Sequence, residues 1–141
     1  MVSPLACSYY KNQFLSINVA KKRGVVNIAK PVMLLAIFDG ISNGEILSNH
    51  IVFNDILVSS YKKLYSQFRD GYITPAEYPF YYLKNEEFYV IKGCTNKKTP
   101  SAKFLRESVE YATFEDGLWN MLQNEEIRNE FRETIIQHFL K

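Results

Sequence analysis

From Pro31 to Phe38 the chain reads Pro-Val-Met-Leu-Leu-Ala-Ile-Phe, its longest run without a charged or strongly polar side chain. The run is far short of the ~20 residues a membrane span requires, so its apolar surface has to be buried inside the protein. Lys30-Pro31 begins a helix well, because a proline in the first turn loses no hydrogen bond. With apolar residues on nearly every side, this helix belongs at the centre of a core. Asp39-Gly40 is the expected end.

The rest of the chain supplies material to surround it. Hydrophobic residues make up 47% of the 141 and aromatics 15%, a globular composition on a chain long enough for one core. Tyr9 to Ala20 reads as a short amphipathic helix, followed by a basic loop at Lys21-Lys22-Arg23-Gly24. Ser42 to Ile46 is a turn into a very short strand. Asn54 caps a helix with Ile56, Leu57, Tyr61, Leu64, Tyr65 and Phe68 at three- and four-residue spacing. Phe80–Leu83 and Glu87–Lys92 are rich in aromatic and β-branched residues and read as a hairpin. Ser101 caps a helix to about Ala112, Gly117–Gln123 is helical, and Asn124 caps a last helix to Leu140. The expected fold is α+β: one domain over residues 1–141, mostly helical, with a small antiparallel hairpin in winged-helix order, Phe80–Lys92 forming the wing.

Charge is unevenly spread. Through Arg106, 14 Lys/Arg face 7 Asp/Glu (+7); from Glu107 on, 3 face 8 (−5), and together these give the net +2. Met1–Lys30 and Lys92–Arg106 contain basic residues and no acid. Such segments suit a phosphate backbone, with the acidic end turned away. The expected contacts lie in loops, turns or helix starts: Lys21, Lys22, Arg23, Lys84, Lys97, Lys98 and Lys103. Arg106 is left out because it falls within a helix, where Glu110 is a partner at i,i+4.

The catalytic inventory is thin. His50 and His138 are the two histidines, too few for a His-Asn-His nuclease or a zinc site, and the six glycines form no phosphate loop. No metal or cofactor is expected, and no enzyme activity. Arg132 and His138 have the loose spacing of some helical ribonucleases, which makes a small metal-independent ribonuclease the rival enzyme reading. Cys7 and Cys94 read as free thiols in a reducing cytoplasm, and no signal peptide or membrane partner is expected.

The binding inventory is richer. Tyr78-Pro79-Phe80-Tyr81-Tyr82-Leu83 packs four aromatics around a proline. With Tyr89, Lys84 and Lys92 nearby, it mixes stacking surfaces with phosphate donors, as nucleic-acid binders do. On a strand, Phe80 and Tyr82 share one face and Tyr81 and Leu83 the other, so part of the block must be core. A winged-helix-like protein–protein adaptor gripping a peptide on the tyrosines is the rival from the structural class.

Several of these blocks together resemble a known family. They are Lys30-Pro31-Val-Met-Leu-Leu-Ala-Ile, Asn43-Gly44-Glu45-Ile46, the Tyr78–Leu83 block, Phe88-Tyr89, Phe104-Leu105-Arg106-Glu107 and Phe114-Glu115-Asp116-Gly117-Leu118-Trp119. Their order and spacing, from about Phe14 to Leu140, resemble the DNA sulfur-binding domain that precedes the His-Asn-His nuclease domain in phosphorothioate-dependent McrA-type restriction enzymes. The resemblance implies a module that binds duplex DNA and takes the backbone sulfur into a small apolar cavity. It implies Tyr78 and Pro79 as cavity walls, Tyr82 at the position of a small residue in the family, and Lys30 as the basic neighbour. Ala29 stands where a histidine often precedes that basic residue. The nuclease half has no counterpart in this sequence, which implies either a nuclease partner acting in trans or a piece of a longer or split gene.

Overall fold

A computed structural model of the chain describes residues 4–93 and 99–141. The apolar run lies in α2 (Ala29–Ser42), where every residue from Val32 to Phe38 is completely buried. The helix runs past Asp39-Gly40 to Ser42, and Gly40 leaves room for the Ile46 side chain that crosses it. A Cβ on Gly40 would come within 2.7 Å of Ile46 Cδ1.

Every other large element packs against α2 or against a neighbour that does. Before it come α1 (Pro4–Leu15) and a two-residue hairpin of β1 (Lys21–Lys22) and β2 (Val25–Val26). Arg23 and Gly24 form the hairpin turn with φ of 54° and 78°, the left-handed pair that a tight hairpin of matching twist requires. After it come α3 (Asp55–Phe68) and α4 (Glu77–Tyr82), the latter continued by a 3₁₀ turn, Leu83–Asn85. Next are β3 (Tyr89–Gly93), α5 (Ala102–Ser108), β4 (Val109–Phe114) and α6 (Asp116–Leu122). The last helix is α7 (Glu125–Ile135), which ends in a wider π turn through Leu140. The described residues therefore form an α+β fold of seven α-helices and two small antiparallel sheets.

Helix starts fall where capping chemistry places them. Asn54, Ser101 and Asn124 each accept a hydrogen bond from the amide three residues on, at 2.9, 3.1 and 3.1 Å. At the centre, the Phe14 ring meets Phe38, Phe88 and Phe131 nearly edge-on, with centroids 6.0, 5.3 and 5.2 Å away. This is the geometry that aromatic quadrupoles favour.

Besides the end of α2 and the first helix, which is Pro4–Leu15 and not Tyr9–Ala20, three further expectations fail. The Phe80–Lys92 wing does not form, because Phe80–Leu83 is helical. Pro79 sits in the first turn of α4, where its missing N–H costs nothing, and Ala76, Phe80 and Leu83 keep a buried helical stripe. The partner of β3 is instead β4, in a register pairing Tyr89 with Phe114 and Ile91 with Ala112. The helix from Ser101 stops at Ser108, because Val109, Ala112 and Phe114 are buried as a strand. The strand expected at Ile46 does not form, and a single β-bridge stands further on at Ile51. Ile51 exchanges both backbone hydrogen bonds with Ala112, and the Asn49 side chain bonds both backbone groups of Phe114.

Two buried phenols fasten the segment between α3 and β3. Tyr61 donates to the Thr74 carbonyl at 2.7 Å and Tyr89 to the Phe80 carbonyl at 2.6 Å. Burial, the largest cause for each, pushes both phenols above their usual range, since a phenolate there would lose its hydration. In the unfolded chain both ionise near pH 10, so above that pH the unfolded state releases protons that the folded state keeps. Their stabilisation is complete below about pH 10 and is lost as the pH rises beyond it. Denaturant midpoints should therefore fall from pH 9 to 11, and Tyr61→Phe and Tyr89→Phe should each make that fall shallower.

Candidate nucleic-acid interface

The N-terminus of α2, the end of β2 and the outer face of α4 meet around one depression of about 160 Å³. Its lining includes Val19, Ala20, Ala29, Lys30, Tyr78, Pro79 and Tyr82. Four positions tied to a sulfur cavity by resemblance, Lys30, Tyr78, Pro79 and Tyr82, thus converge, although 48 positions separate Lys30 from Tyr78. Because α4 is a helix, Tyr78 and Tyr82 lie one turn apart on the same face. Their rings are parallel within 5°, with centroids 6.5 Å apart. Tyr82 does not fill the depression. An apolar cavity of about 150 Å³ holds a benzene ring, so the space exceeds what one sulfur atom needs.

Hydrogen bonds fix the walls. Asn27 Oδ1 accepts from the Ala29 amide at 2.8 Å, and its Nδ2 donates to Thr74 Oγ1 at 3.3 Å. The Thr74 hydroxyl also lies 3.4 Å from the Tyr65 hydroxyl. The basic hairpin grows directly from this wall: Asn18–Ala20 and Asn27, which flank it, line the depression. Lys21, Lys22 and Arg23 are exposed and enter no ion pair with another described residue.

Lys30 differs from those cations. Its Nζ donates to Glu86 Oε2 at 2.9 Å, with the two side chains only 15% and 11% exposed. The one charged side chain among the described residues of the lining is therefore already neutralised by a carboxylate from the turn after α4. Sequence reasoning did not find this pair, because 56 positions separate its members and nothing local links Glu86 to the Lys30-Pro31 helix start.

The other expected contacts are scattered. Lys84 follows α4, with its ammonium 4.9 Å from the centre of the Tyr81 ring, a cation–π arrangement. Lys103 is exposed in the first turn of α5, which packs on α4 where the Tyr81 and Phe104 rings meet edge-on. Lys97 and Lys98 lie outside the described residues, as does Cys94. Arg106 pairs with Asp55 at 2.7 Å, not with Glu110, because Glu110 falls on β4 instead of continuing the helix.

Arg132 and His138 do not form a unit. Arg132 is held by both carboxylate oxygens of Asp39, at 2.9 and 3.2 Å. It faces a polar groove between α2 and α3, whereas His138 lines a different groove beside Leu15 and Glu130. His50 is exposed and stacks on Tyr111, with ring centroids 3.9 Å apart. Among the described residues no three His, Cys, Asp or Glu side chains are placed to hold a metal ion, and no helix is long and apolar enough to cross a membrane.

No protein-family model matches the chain, and a search of the curated proteins gives no match.

Removing one member of the Lys30–Glu86 pair strands a mostly buried charge. Lys30→Met should lower unfolding stability by roughly 2–4 kcal/mol, and Lys30→Met/Glu86→Gln should recover most of it. Urea denaturation of the single and double variants measures this directly. Equal losses in both would show that the pair is not coupled.

Proposed function

We propose that this chain is a DNA-binding module of a modification-dependent restriction or defence system, reading phosphorothioated positions in duplex DNA and cleaving nothing itself. The observation that carries the reading is the convergence of Lys30, Tyr78, Pro79 and Tyr82 on one largely apolar depression beside an exposed basic hairpin. A nuclease partner, in trans or in a longer protein, would supply cleavage.

Two kinds of contact divide the work. Lys21, Lys22 and Arg23, with Lys84, Lys97, Lys98 and Lys103, neutralise phosphates and set the register without reading sequence. The pocket distinguishes one backbone position from another. Sulfur in place of a non-bridging oxygen is larger, softer and less hydrated, so an apolar wall favours it where a hydrogen-bond donor would not. The rigid Pro79 ring and the faces of Tyr78 and Tyr82 provide such a wall. The ribonuclease alternative draws no support from Arg132, which Asp39 already engages.

Titrating one duplex with and without a single Rp phosphorothioate tests the reading. The modified duplex should bind more tightly, and Pro79→Ala should reduce the preference by about 5–30-fold, the equivalent of roughly 1–2 kcal/mol of apolar contact. Lys21→Ala and Lys22→Ala should weaken both duplexes alike and lower the salt slope by about one each. Equal affinity for the two duplexes at every salt concentration would refute the sulfur reading.

A further inference from the structure

Three large apolar side chains that the fold leaves outside meet at one place. Leu47, Val52 and Ile56 are 86%, 48% and 57% exposed, and together they line a single depression over the middle of α2. Each is left there by its neighbours. Ile46 turns in against Gly40, so Leu47 stays outside. Val52 alternates with the buried Ile51 and Phe53. Ile56 begins α3 off the buried face formed by Leu57, Tyr61 and Leu64. An exposed aliphatic residue standing singly is ordinary, whereas a cluster of them rimmed by polar groups marks a contact surface.

The charges around the cluster select its occupant. The depression adjoins the polar groove between α2 and α3, with which it shares Glu45, Ile56 and Ser60. In that groove Asp39 holds Arg132 at 2.9 Å, and Asp55 holds Arg106 at 2.7 Å, so these charges are met within the chain. Glu45 and Lys63 remain. Both are exposed, and neither enters an ion pair with another described residue. A partner carrying one sign of charge gains at one of them and loses at the other. A second copy turned about a two-fold axis loses at neither, because the acid of each copy meets the base of the other. We propose that two copies of this chain pair through this face. Leu47, Val52 and Ile56 pack across the axis, and Glu45 of each copy faces Lys63 of the other.

The pairing face shares no lining residue with the depression at the N-terminus of α2. In the pair each copy keeps its own basic hairpin and its own Tyr78–Pro79 surface. The proposal is independent of what those surfaces bind, and its test needs only the protein. Sedimentation equilibrium of the full chain from about 1 to 200 μM should show a shift from monomer to dimer, as a contact of modest area gives. No larger species should follow, because a two-fold contact closes on itself. Leu47→Asp should stay monomeric. Glu45→Lys and Lys63→Glu should each weaken pairing at least about tenfold, since like charges then face each other twice. Mixed in equal amounts, these two variants should form a heterodimer in which both acid–base contacts are made again. The double variant Glu45→Lys/Lys63→Glu should pair to within about threefold of wild type. All three positions are exposed, and rescue by mixing reads only folded protein.

A wild type that stays monomeric throughout would overturn the proposal and leave this face to a different protein. A dimer that survives Leu47→Asp would place the contact elsewhere and overturn it too. Single charge reversals that fail to rescue one another would refute the two-fold arrangement.

Discussion

The structure depends on a helix with almost no solvent face. From Val32 to Phe38 no side chain of α2 reaches water, so the chain must place an element on each side of it. The α3, α4 and α7 helices all pack on α2. Phe14 of α1 and Phe88 meet beside Phe38. An apolar helix of this length gains most of its stability from such burial, because helices this short are marginal alone. Its polar C-terminal turn is tied separately. Asp39 is clamped by Arg132, and Ser42 accepts from the buried Arg128, which also donates to the Leu122 carbonyl.

The same constraint builds the pocket. Burying α2 to its first turn brings Ala29 and Lys30 against α4, and Tyr89 and Tyr61 fasten the ends of the α4 segment. Phe80, Tyr81 and Leu83 turn into the core, so Tyr78 and Tyr82 are left on the outer face with Pro79 between them. The aromatic block is thus shared between support and surface. The acidic C-terminal helix α7 contributes nothing to the pocket lining, and its Glu130 pairs with Lys11 of α1. The three hairpin cations beside the pocket enter no ion pair among the described residues.

Features governed by local chemistry could be read directly. The central helix, the caps at Asn54, Ser101 and Asn124, and the buried stripe of α7 follow from periodicity and from side chains that bond their own backbone. The block Tyr78–Leu83 was misread because aromatic residues favour strands. A short apolar run has no decisive period, and Pro79 fits equally well at a strand edge or in the first turn of a helix. The reverse error at Val109–Phe114 has the same origin, since Phe104, Leu105, Ser108 and Val109 also match a helical face. The hairpin around Arg23-Gly24 did carry a signal, a glycine preceded by a residue that must also take positive φ, but arginine is an unusual choice there. The ion pairs Lys30–Glu86, Arg106–Asp55 and Arg132–Asp39 join residues 51 to 93 positions apart, and nothing local could have revealed them. The members of the pocket were legible only through resemblance, and its neutrality was not legible at all.

The central claim is that DNA meets the protein at the pocket and the hairpin together. Mapping backbone amide NMR shifts during titration with a phosphorothioated duplex tests this most directly. The account predicts that the largest shifts cluster at residues 18–30 and 74–86, with α6 and α7 nearly unmoved. Shifts concentrated on α7, or spread evenly with none at Ala29, Tyr78 and Tyr82, would contradict it.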